Sequence, residues 1–367
     1  MHTVTPNTML KVLLTALLVI ANGTGMAQDG HEHHGHQGHG AVPPMDADGR
    51  RLDPEAPRHE MSDEQLAALR EKIALYRALT DTEARLNMAL MGPNYEWYVS
   101  DPALQSDTGV LILSHGVGEN SDRLFVEKLK PLAEQRPTAV SFGMAMMMSS
   151  QLQSAVDDLT ERGAERIVLV PTSMSEHNSL TRQWKYIFSM HDEASYLEVP
   201  RVESDATFMM ANHLEDHPLV TEILLDHTLE KSKNPQNEVV ILVGHGPEEI
   251  EDNVPDMVVM QTHADRIKAQ TDFADVKAIN LQDDAFPPIR KSNVKKLQRW
   301  VTAAKRRGQT VIVTVTATAS FGFQEHVRED LRGYDYVFVD KGLNEHPKYL
   351  RWVEAAVEER LSLADAG

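Results

Sequence analysis

The chain has 367 residues and no cysteine, with 36 Lys and Arg against 55 Asp and Glu. The lack of cysteine excludes disulfides, thiolate-bound zinc, iron–sulfur clusters and a cysteine nucleophile, so any metal chemistry has to use histidine, carboxylate or methionine. The formal net charge of -19 opposes contacts with phosphate backbones and argues against nucleic acid as a partner. The length is that of about two domains of roughly 150 residues each.

The first 27 residues are typical of a signal peptide that is removed on export. Lys11 precedes an apolar run over residues 12–21, and small residues lead to Ala27. The run is about ten residues long, whereas a membrane-spanning helix needs roughly 20. We therefore predict a periplasmic or secreted protein that has no membrane span once the signal has been cleaved.

A histidine-rich tract follows the predicted cleavage site, within a linker expected over residues 28–60. The tract contains five of the 17 histidines: His31, His33, His34, His36 and His39. Imidazoles on a flexible, glycine-containing chain bind divalent metal ions loosely and without a fixed geometry. The tract is therefore predicted to gather metal ions, and the alternative is an inert linker.

Residues 61–107 are expected to form a long helix and a connection. Ser62 and Gln65 have the spacing of a capping box, and apolar residues then recur at helical spacing up to Leu79. Beyond residue 107, short apolar runs alternate with amphipathic stretches, which is typical of βαβ units around a parallel sheet. The predicted strands cover residues 110–114, 139–142, 167–171, 239–244, 276–281, 311–315 and 336–339.

The two halves of this region repeat each other. An apolar strand ends in His-Gly at His115 and again at His245, 130 residues later, and a Leu-x-x-His-Pro pattern occurs at His217 and at His346. We predict an α/β fold of two similar lobes, residues 108–236 and 237–367, each a parallel sheet flanked by helices. His217, His346 and His213 precede helices and are predicted to cap them or to lie in turns. Other histidines fall in amphipathic stretches and are expected to face solvent: His191, His227 and His263.

Candidate metal ligands follow the predicted strands, where parallel sheets bind their ligands. In the first half, His115 ends one strand and His177 lies in the loop after another, so both imidazoles are expected at one crevice. In the second half, His245, Asp284 and His326 form a set of two histidines and one carboxylate, which suits a divalent metal with open coordination positions.

The order of these features resembles the class II chelatases, and in particular the sirohydrochlorin cobaltochelatases and ferrochelatases of the CbiX/SirB type. The resemblance covers roughly residues 108–362. It implies a cleft that holds an open tetrapyrrole while a divalent metal is inserted as a substrate, Co²⁺ first and Fe²⁺ or Ni²⁺ as alternatives, with no organic cofactor. By position, the metal-binding histidines of the family fall on His115 and His177, which would bind the metal and accept the pyrrole protons.

One residue departs from the family pattern. Where the family has a glutamate after its second strand, this chain has a methionine-rich run with Met146 near that position. These methionines are predicted to pack in the core or against a macrocycle, and Glu176 or Glu119 would then have to replace the carboxylate. Three alternatives remain. The second-half set is the working site of the chelatase, or it holds a metal-bound water and the protein is a hydrolase. The third is a non-catalytic periplasmic carrier of metal or tetrapyrrole, because many solute-binding proteins also have two α/β lobes.

Overall fold

The computed structural model describes residues 43–51, 61–89 and 91–366. The signal peptide predicted for residues 1–27 and the histidine tract from His31 to His39 lie outside the described residues. Within the described ranges, no helix is both long enough and apolar enough to cross a membrane.

The strands of the described chain form two sheets. They are β1 Arg50–Arg51, β2 Tyr95–Tyr98, β3 Thr108–Ser114, β4 Thr138–Phe142, β5 Arg166–Pro171, β6 Thr207–Met210, β7 Glu238–Gly244, β8 Asp275–Asn280, β9 Thr310–Val315 and β10 Val337–Val339. The predicted strands are thus found within one or two residues of their expected bounds. These strands are rich in apolar residues, many of them β-branched, and the central strands β3 and β7 are buried along their whole length.

The helices connect the strands and cover the sheets. They are α1 Asp63–Lys72, α2 Ala74–Ala78, α3 Asp81–Ala89, α4 Glu119–Ala133, α5 Ser150–Glu161, α6 Ser179–Ile187, α7 Pro218–Leu229, α8 Ile250–Gln270, α9 Pro287–Arg306, α10 Phe323–Asp330 and α11 Pro347–Asp365.

The two sheets repeat one topology. In the first sheet, β3 lies between β4 and β5, and β6 lies outside β5. In the second sheet, β7 lies between β8 and β9, and β10 lies outside β9. All of these neighbours pair in parallel. The structure therefore confirms an α/β fold with two similar lobes.

The first sheet has three strands that the sequence pattern did not indicate: β6 at one edge, and β1 and β2 at the other. Strand β2 pairs antiparallel with β4, with Tyr95 opposite Phe142, and β1 pairs with β2. All four residues of β2 are buried although Glu96 is among them, because Arg51 of β1 contacts the Glu96 carboxylate at 2.8 Å. The segment expected to be only helix and connection thus contributes a strand to the first sheet.

The long helix expected from residue 62 is broken. Its start is as predicted, since Ser62 Oγ accepts from the Gln65 N–H at 3.2 Å and the Gln65 side chain accepts from the Ser62 N–H at 2.8 Å. At Ile73 the backbone is extended, with φ -118° and ψ 119°, so that α1 ends and α2 begins there. The break lets Ile73 and Tyr76 turn into the same buried cluster as Met88 of α3.

The lobes exchange helices and share a core. Helix α7 of the first half packs against α8 and β9, and the last helix, α11, returns to pack against β5 and α4. One hydrophobic cluster contains strand residues of both sheets, Ile112 and Leu242 among them. Ion pairs from α11 to Arg136, at 2.6 Å, and to Arg166, at 3.0 Å, add to this contact. The packing therefore holds the two sheets together through a shared core.

Candidate functional site

His115 is the first exposed residue after the buried strand β3. Its Nδ1 lies 2.6 Å from the carbonyl oxygen of Gly116. Because a carbonyl oxygen only accepts, this contact puts the proton of a neutral ring on Nδ1 and leaves a lone pair on Nε2. Gly116 has φ +74°, a conformation that favours glycine. The strand end therefore presents a histidine whose outer nitrogen is free to bind a metal ion.

The second lobe repeats this turn. His245 Nδ1 lies 2.8 Å from the carbonyl oxygen of Gly246, which has φ +72°. A Cβ atom at Gly246 would lie 2.6 Å from the Cβ of Asn280, so only glycine fits. The difference is that His245 Nε2 lies 3.4 Å from Asp284 Oδ2. Although burial favours the neutral ring, this carboxylate raises the pKa of His245.

Asp122 of α4 supports the His115 turn from behind. Its buried carboxylate accepts from the Tyr95 hydroxyl at 2.6 Å and from the Val117 N–H at 3.1 Å. Burial raises the pKa of Asp122, while these two hydrogen bonds and the nearby His115 oppose that shift. Asp122 therefore holds the turn in place.

His177 is half-buried in the loop between β5 and α6. Asn178 ends this loop as the N-cap of α6, where its Oδ1 accepts from the Thr181 N–H at 2.7 Å. Glu176 is not free to act beside His177. Its carboxylate accepts from Lys185 Nζ at 2.8 Å, and this bond lowers the pKa of Glu176.

A buried carboxylate, Asp256 of α8, links the His177 loop to the second lobe. It is 5% exposed and accepts from the Ser175 hydroxyl and, at 2.6 Å, from Asn280 Nδ2. Burial raises the pKa of Asp256, and the charges of both His177 and His245 act in the opposite direction. The two histidines therefore lie within electrostatic range of one carboxylate at the junction of the lobes.

The predicted second-half set is only partly brought together. His245 faces Asp284, but His326 Nδ1 is hydrogen-bonded to the neighbouring Asp283. Asp283 also accepts from Arg290 Nε at 2.6 Å, so His326 belongs to a buried ion-pair cluster. Burial alone would raise the pKa of Asp283, but His326 and the Arg290 charge hold it well below its usual range.

The two predicted metal sites differ in their contacts. No hydrogen bond or ion pair joins His115 to His177 within the described ranges, and in the same ranges no three His, Asp or Glu side chains are grouped so as to hold a metal ion. As a metal site, His115 with His177 stays a prediction, and so does His245 with Asp284 and His326.

Met146 lies in a buried cluster beneath the N-terminal helices. It is 4% exposed and packs with Leu69, Tyr76 and Met88, which confirms the prediction that it belongs to the core. Glu119, the other candidate carboxylate, contacts Arg50 at 2.7 Å and lies at the exposed start of α4. Neither Glu119 nor Glu176 therefore supplies an unpaired carboxylate.

Glu248 is a carboxylate that the sequence pattern did not single out. It lies three residues after His245, in the loop before α8, and is half-buried. Burial raises the pKa of Glu248 to about 7, the charge of Asp284 acts in the same direction, and a hydrogen bond with Ser179 and the Arg182 charge oppose it. The sequence feature that could have identified Glu248 is its position in the motif His-Gly-Pro-Glu at the end of β7.

The first lobe matches the family model CbiX over residues 109–231. No curated protein sequence matches the chain. Among solved structures, the chain is similar to SirB from Bacillus subtilis with Fe³⁺, at 13% identity and a TM-score of 0.53, over 71% of this chain and 98% of that one. A sirohydrochlorin chelatase SirB from Bacillus subtilis subspecies spizizenii, in complex with cobalt, is matched at 11% identity and a TM-score of 0.46, over 70% and 96%.

The structural similarity shows a common fold, and the family match covers the lobe that contains His115 and His177. This lobe also has the parallel topology and the strand-end histidine turn described above. The first lobe is thus the part of the chain that matches the CbiX family, and over 71% of its length the chain shares the fold of SirB.

Proposed function

We propose that this protein is an exported chelatase that inserts a divalent metal into a sirohydrochlorin-type tetrapyrrole. The observation that carries the proposal is the CbiX match over the lobe in which His115 and His177 follow the strands. Co²⁺ is the preferred metal, with Fe²⁺ and Ni²⁺ as alternatives. Solved relatives described with cobalt and with Fe³⁺ support a metal substrate of this kind.

The turn at His115 suits the first step, metal binding. Its Nδ1 proton is held by the Gly116 carbonyl group, so the Nε2 lone pair can bind the ion without loss of a proton. His177, in the loop that Asp256 anchors through Ser175, would supply the second imidazole. Two neutral nitrogen ligands leave positions of the metal open for the pyrrole nitrogens.

The second step exchanges the metal for two protons. As the ion enters the macrocycle, two pyrrole N–H protons have to leave, and the imidazoles of His115 and His177, freed by the departing metal, can each accept one and release it to solvent. In the second lobe, the Asp284 carboxylate raises the pKa of His245, so a metal ion would have to displace a more tightly held proton from that ring. This difference supports the first-lobe histidines over the second-lobe set.

Export and metal capture complete the proposal. The signal peptide would direct the chain to the periplasm or outside the cell, and the tract from His31 to His39 would collect divalent metal ions.

The direct test is metal insertion by the mature protein. Sirohydrochlorin is incubated with Co²⁺, Fe²⁺ or Ni²⁺, and the absorption change of the macrocycle is compared with a blank without protein. We expect catalysis that His115→Ala and His177→Ala abolish. His191→Ala is the matched control, since this histidine is exposed and its ring is hydrogen-bonded to the backbone of Glu193, in the loop after α6. A rate no higher than the blank would rule out the chelatase.

A non-catalytic carrier is the second candidate. The observation that favours it is Met146, which is buried in the core where the family has a carboxylate. A carrier would bind Co²⁺ or the macrocycle tightly in a 1:1 ratio without inserting the metal. Titration followed by mass spectrometry of the bound macrocycle separates the two, because only a chelatase yields the metallated product.

A further inference from the structure

Arg182 of α6 holds a carboxylate that comes from the other lobe. Its guanidinium donates to both carboxylate oxygens of Asp252, in the first turn of α8, at 3.0 and 2.9 Å. It also donates to Ser179 Oγ at 3.1 Å, so the guanidinium is folded back towards the start of α6. Because Ser179 comes two residues after His177, this ion pair lies beside the histidine loop of the first lobe.

Two contacts join this loop to α8, and they differ in exposure. The inner contact joins the Ser175 hydroxyl to Asp256, and these residues are 2% and 5% exposed. The outer contact joins Arg182 to Asp252, whose side chains are 35% and 17% exposed. A group that leaves the inner contact stays buried and unsatisfied, whereas the guanidinium of the outer contact can take another anion as its partner. The outer pair is therefore the contact that a solute can enter.

The proposed substrate carries the group that this guanidinium recognises. Sirohydrochlorin has acetate and propionate side chains around its ring, and a planar guanidinium binds a carboxylate through two parallel hydrogen bonds. The other cation of α6, Lys185, is paired with Glu176 of the same loop at 2.8 Å. A protein with a formal net charge of -19 needs a placed cation to bind a polyanion. Asp252 thus offers Arg182 the same functional group, in the same two-oxygen geometry, as a side chain of the macrocycle.

We propose that Arg182 binds a carboxylate of the macrocycle, and that Asp252 holds its guanidinium until the macrocycle arrives. The inference rests on the proposed function, to which it adds the residue that anchors the ring. The incoming carboxylate replaces Asp252, so an ion pair between the lobes is exchanged for one with the substrate. The buried contact of Ser175 with Asp256 keeps the loop attached to α8 during this exchange. Arg182 is then the anchor of the substrate, and Asp252 is its competitor.

The two members of the pair should therefore change binding in opposite directions. Arg182→Ala removes the anchor, Arg182→Lys keeps the charge but loses the planar fork, and Asp252→Asn keeps the size of the competitor but removes its charge. The matched controls are Arg266→Ala and Asp216→Asn. These residues form an ion pair of 2.7 Å near the other end of α8, and the Arg266 side chain is 36% exposed.

Two macrocycles are measured with the wild type and each variant. Insertion of Co²⁺ into sirohydrochlorin gives kcat and KM. Titration with metal-free uroporphyrin, another macrocycle with carboxylate side chains, is followed by its fluorescence and gives a dissociation constant that requires no catalysis. Thermal unfolding shows whether each variant folds.

We expect Arg182→Ala to raise KM and the dissociation constant by about 10- to 100-fold, as the loss of a charge-assisted bidentate contact does, while kcat changes little. Arg182→Lys should lie between this variant and the wild type. Asp252→Asn should lower both constants several-fold, because a competing state of the guanidinium is weakened. The control variants should bind as the wild type does.

The failures of the inference and of the proposed function are distinguishable. If Arg182→Ala and Asp252→Asn both raise the constants, or if neither changes them, the pair only joins the lobes and the inference is wrong. If Arg182→Ala does not fold, Arg182→Lys takes its place in this comparison. A wild type that inserts no metal, but whose uroporphyrin binding changes in opposite directions in the two variants, overturns the chelatase and supports the binding role of Arg182. A wild type that binds neither macrocycle overturns both.

Discussion

Replacing Asp256 tests how the lobes are joined beneath the crevice. In Asp256→Ala, the Ser175 hydroxyl and the Asn280 amide both lose their acceptor in a buried place. An unsatisfied buried donor costs about 1–3 kcal/mol. Removal of the buried carboxylate also removes its desolvation penalty, which offsets part of this loss. We expect a net loss of about 2–3 kcal/mol in the free energy of unfolding.

Asp256→Asn is the matched variant. Its side-chain oxygen can accept from Asn280 and its amide can donate to Ser175, so both partners stay satisfied. Because burial raises the pKa of Asp256, the folded state favours the protonated acid, and ionisation lowers stability as the pH rises through that pKa. We therefore expect Asp256→Asn to unfold at least as late as the wild type at pH 8.

Thermal unfolding followed by circular dichroism measures both effects. A loss of about 2–3 kcal/mol should lower the Tm of Asp256→Ala by roughly 5 °C, given about 2–4 °C per kcal/mol for chains of 150–250 residues. An unchanged Tm for Asp256→Ala, or an Asp256→Asn variant as unstable as Asp256→Ala, would refute the role given to this carboxylate.

Three further predictions concern the strand-end turns and the methionine core. Asp284→Asn should lower the pKa of His245, measured by NMR titration, because the neighbouring carboxylate raises it. The pairing stabilises the fold at low pH, and this stabilisation is lost as the pH rises through the pKa of His245. An unchanged titration of His245 in the variant would contradict the pairing. Gly246→Ala should lower the Tm far more than Gly308→Ala. Both glycines have positive φ, but a Cβ at Gly246 would lie 2.6 Å from the Asn280 Cβ, whereas a Cβ at Gly308 would have no atom within 4 Å. Equal losses would show that the contact with Asn280 is unimportant. Met146→Ala should lower the free energy of unfolding by about 2–5 kcal/mol, as the replacement of a buried methionine by alanine usually does, and the affinity for Co²⁺ should stay the same. Weaker Co²⁺ binding would show that the thioether is a ligand.

The parallel strands and the strand-end histidine turns could be predicted from sequence because their causes are local. The runs that became β3 and β7 are apolar and bounded, and His-Gly at their ends reports a turn that only glycine allows. The caps at His217 and His346 were predicted for the same reason, and each ring accepts from an N–H of its helix at 3.1 Å. Local patterns of this kind need no knowledge of distant partners.

Residues whose partners are far away in sequence could not be placed. His227 and His263 were expected to face solvent, and this is wrong: both are buried. The His263 ring contacts the Thr221 hydroxyl at 2.8 Å and the Glu215 carbonyl oxygen at 2.8 Å, through packing of α7 against α8. Strand β2 was missed because Glu96 interrupts its apolar pattern, and its partner Arg51 is 45 residues away.

The candidate site shows the same limit. The positions of His115 and His177 follow from the predicted strands, but the contacts of Asp256 and Glu248 depend on how one lobe meets the other. Likewise, adjacent carboxylates have different roles, because Asp283 binds His326 and Arg290 while Asp284 faces His245. Only the folded chain distinguishes them.

The most direct measurement is anomalous diffraction at the cobalt edge from crystals of the mature protein soaked in Co²⁺. If the first-lobe histidines hold the metal, a cobalt peak should lie about 2.1 Å, a usual metal–imidazole distance, from Nε2 of both His115 and His177. The peak should be absent from crystals of His115→Ala. Cobalt bound only beside His245 and Asp284, with none at His115 and His177, would contradict the proposed site.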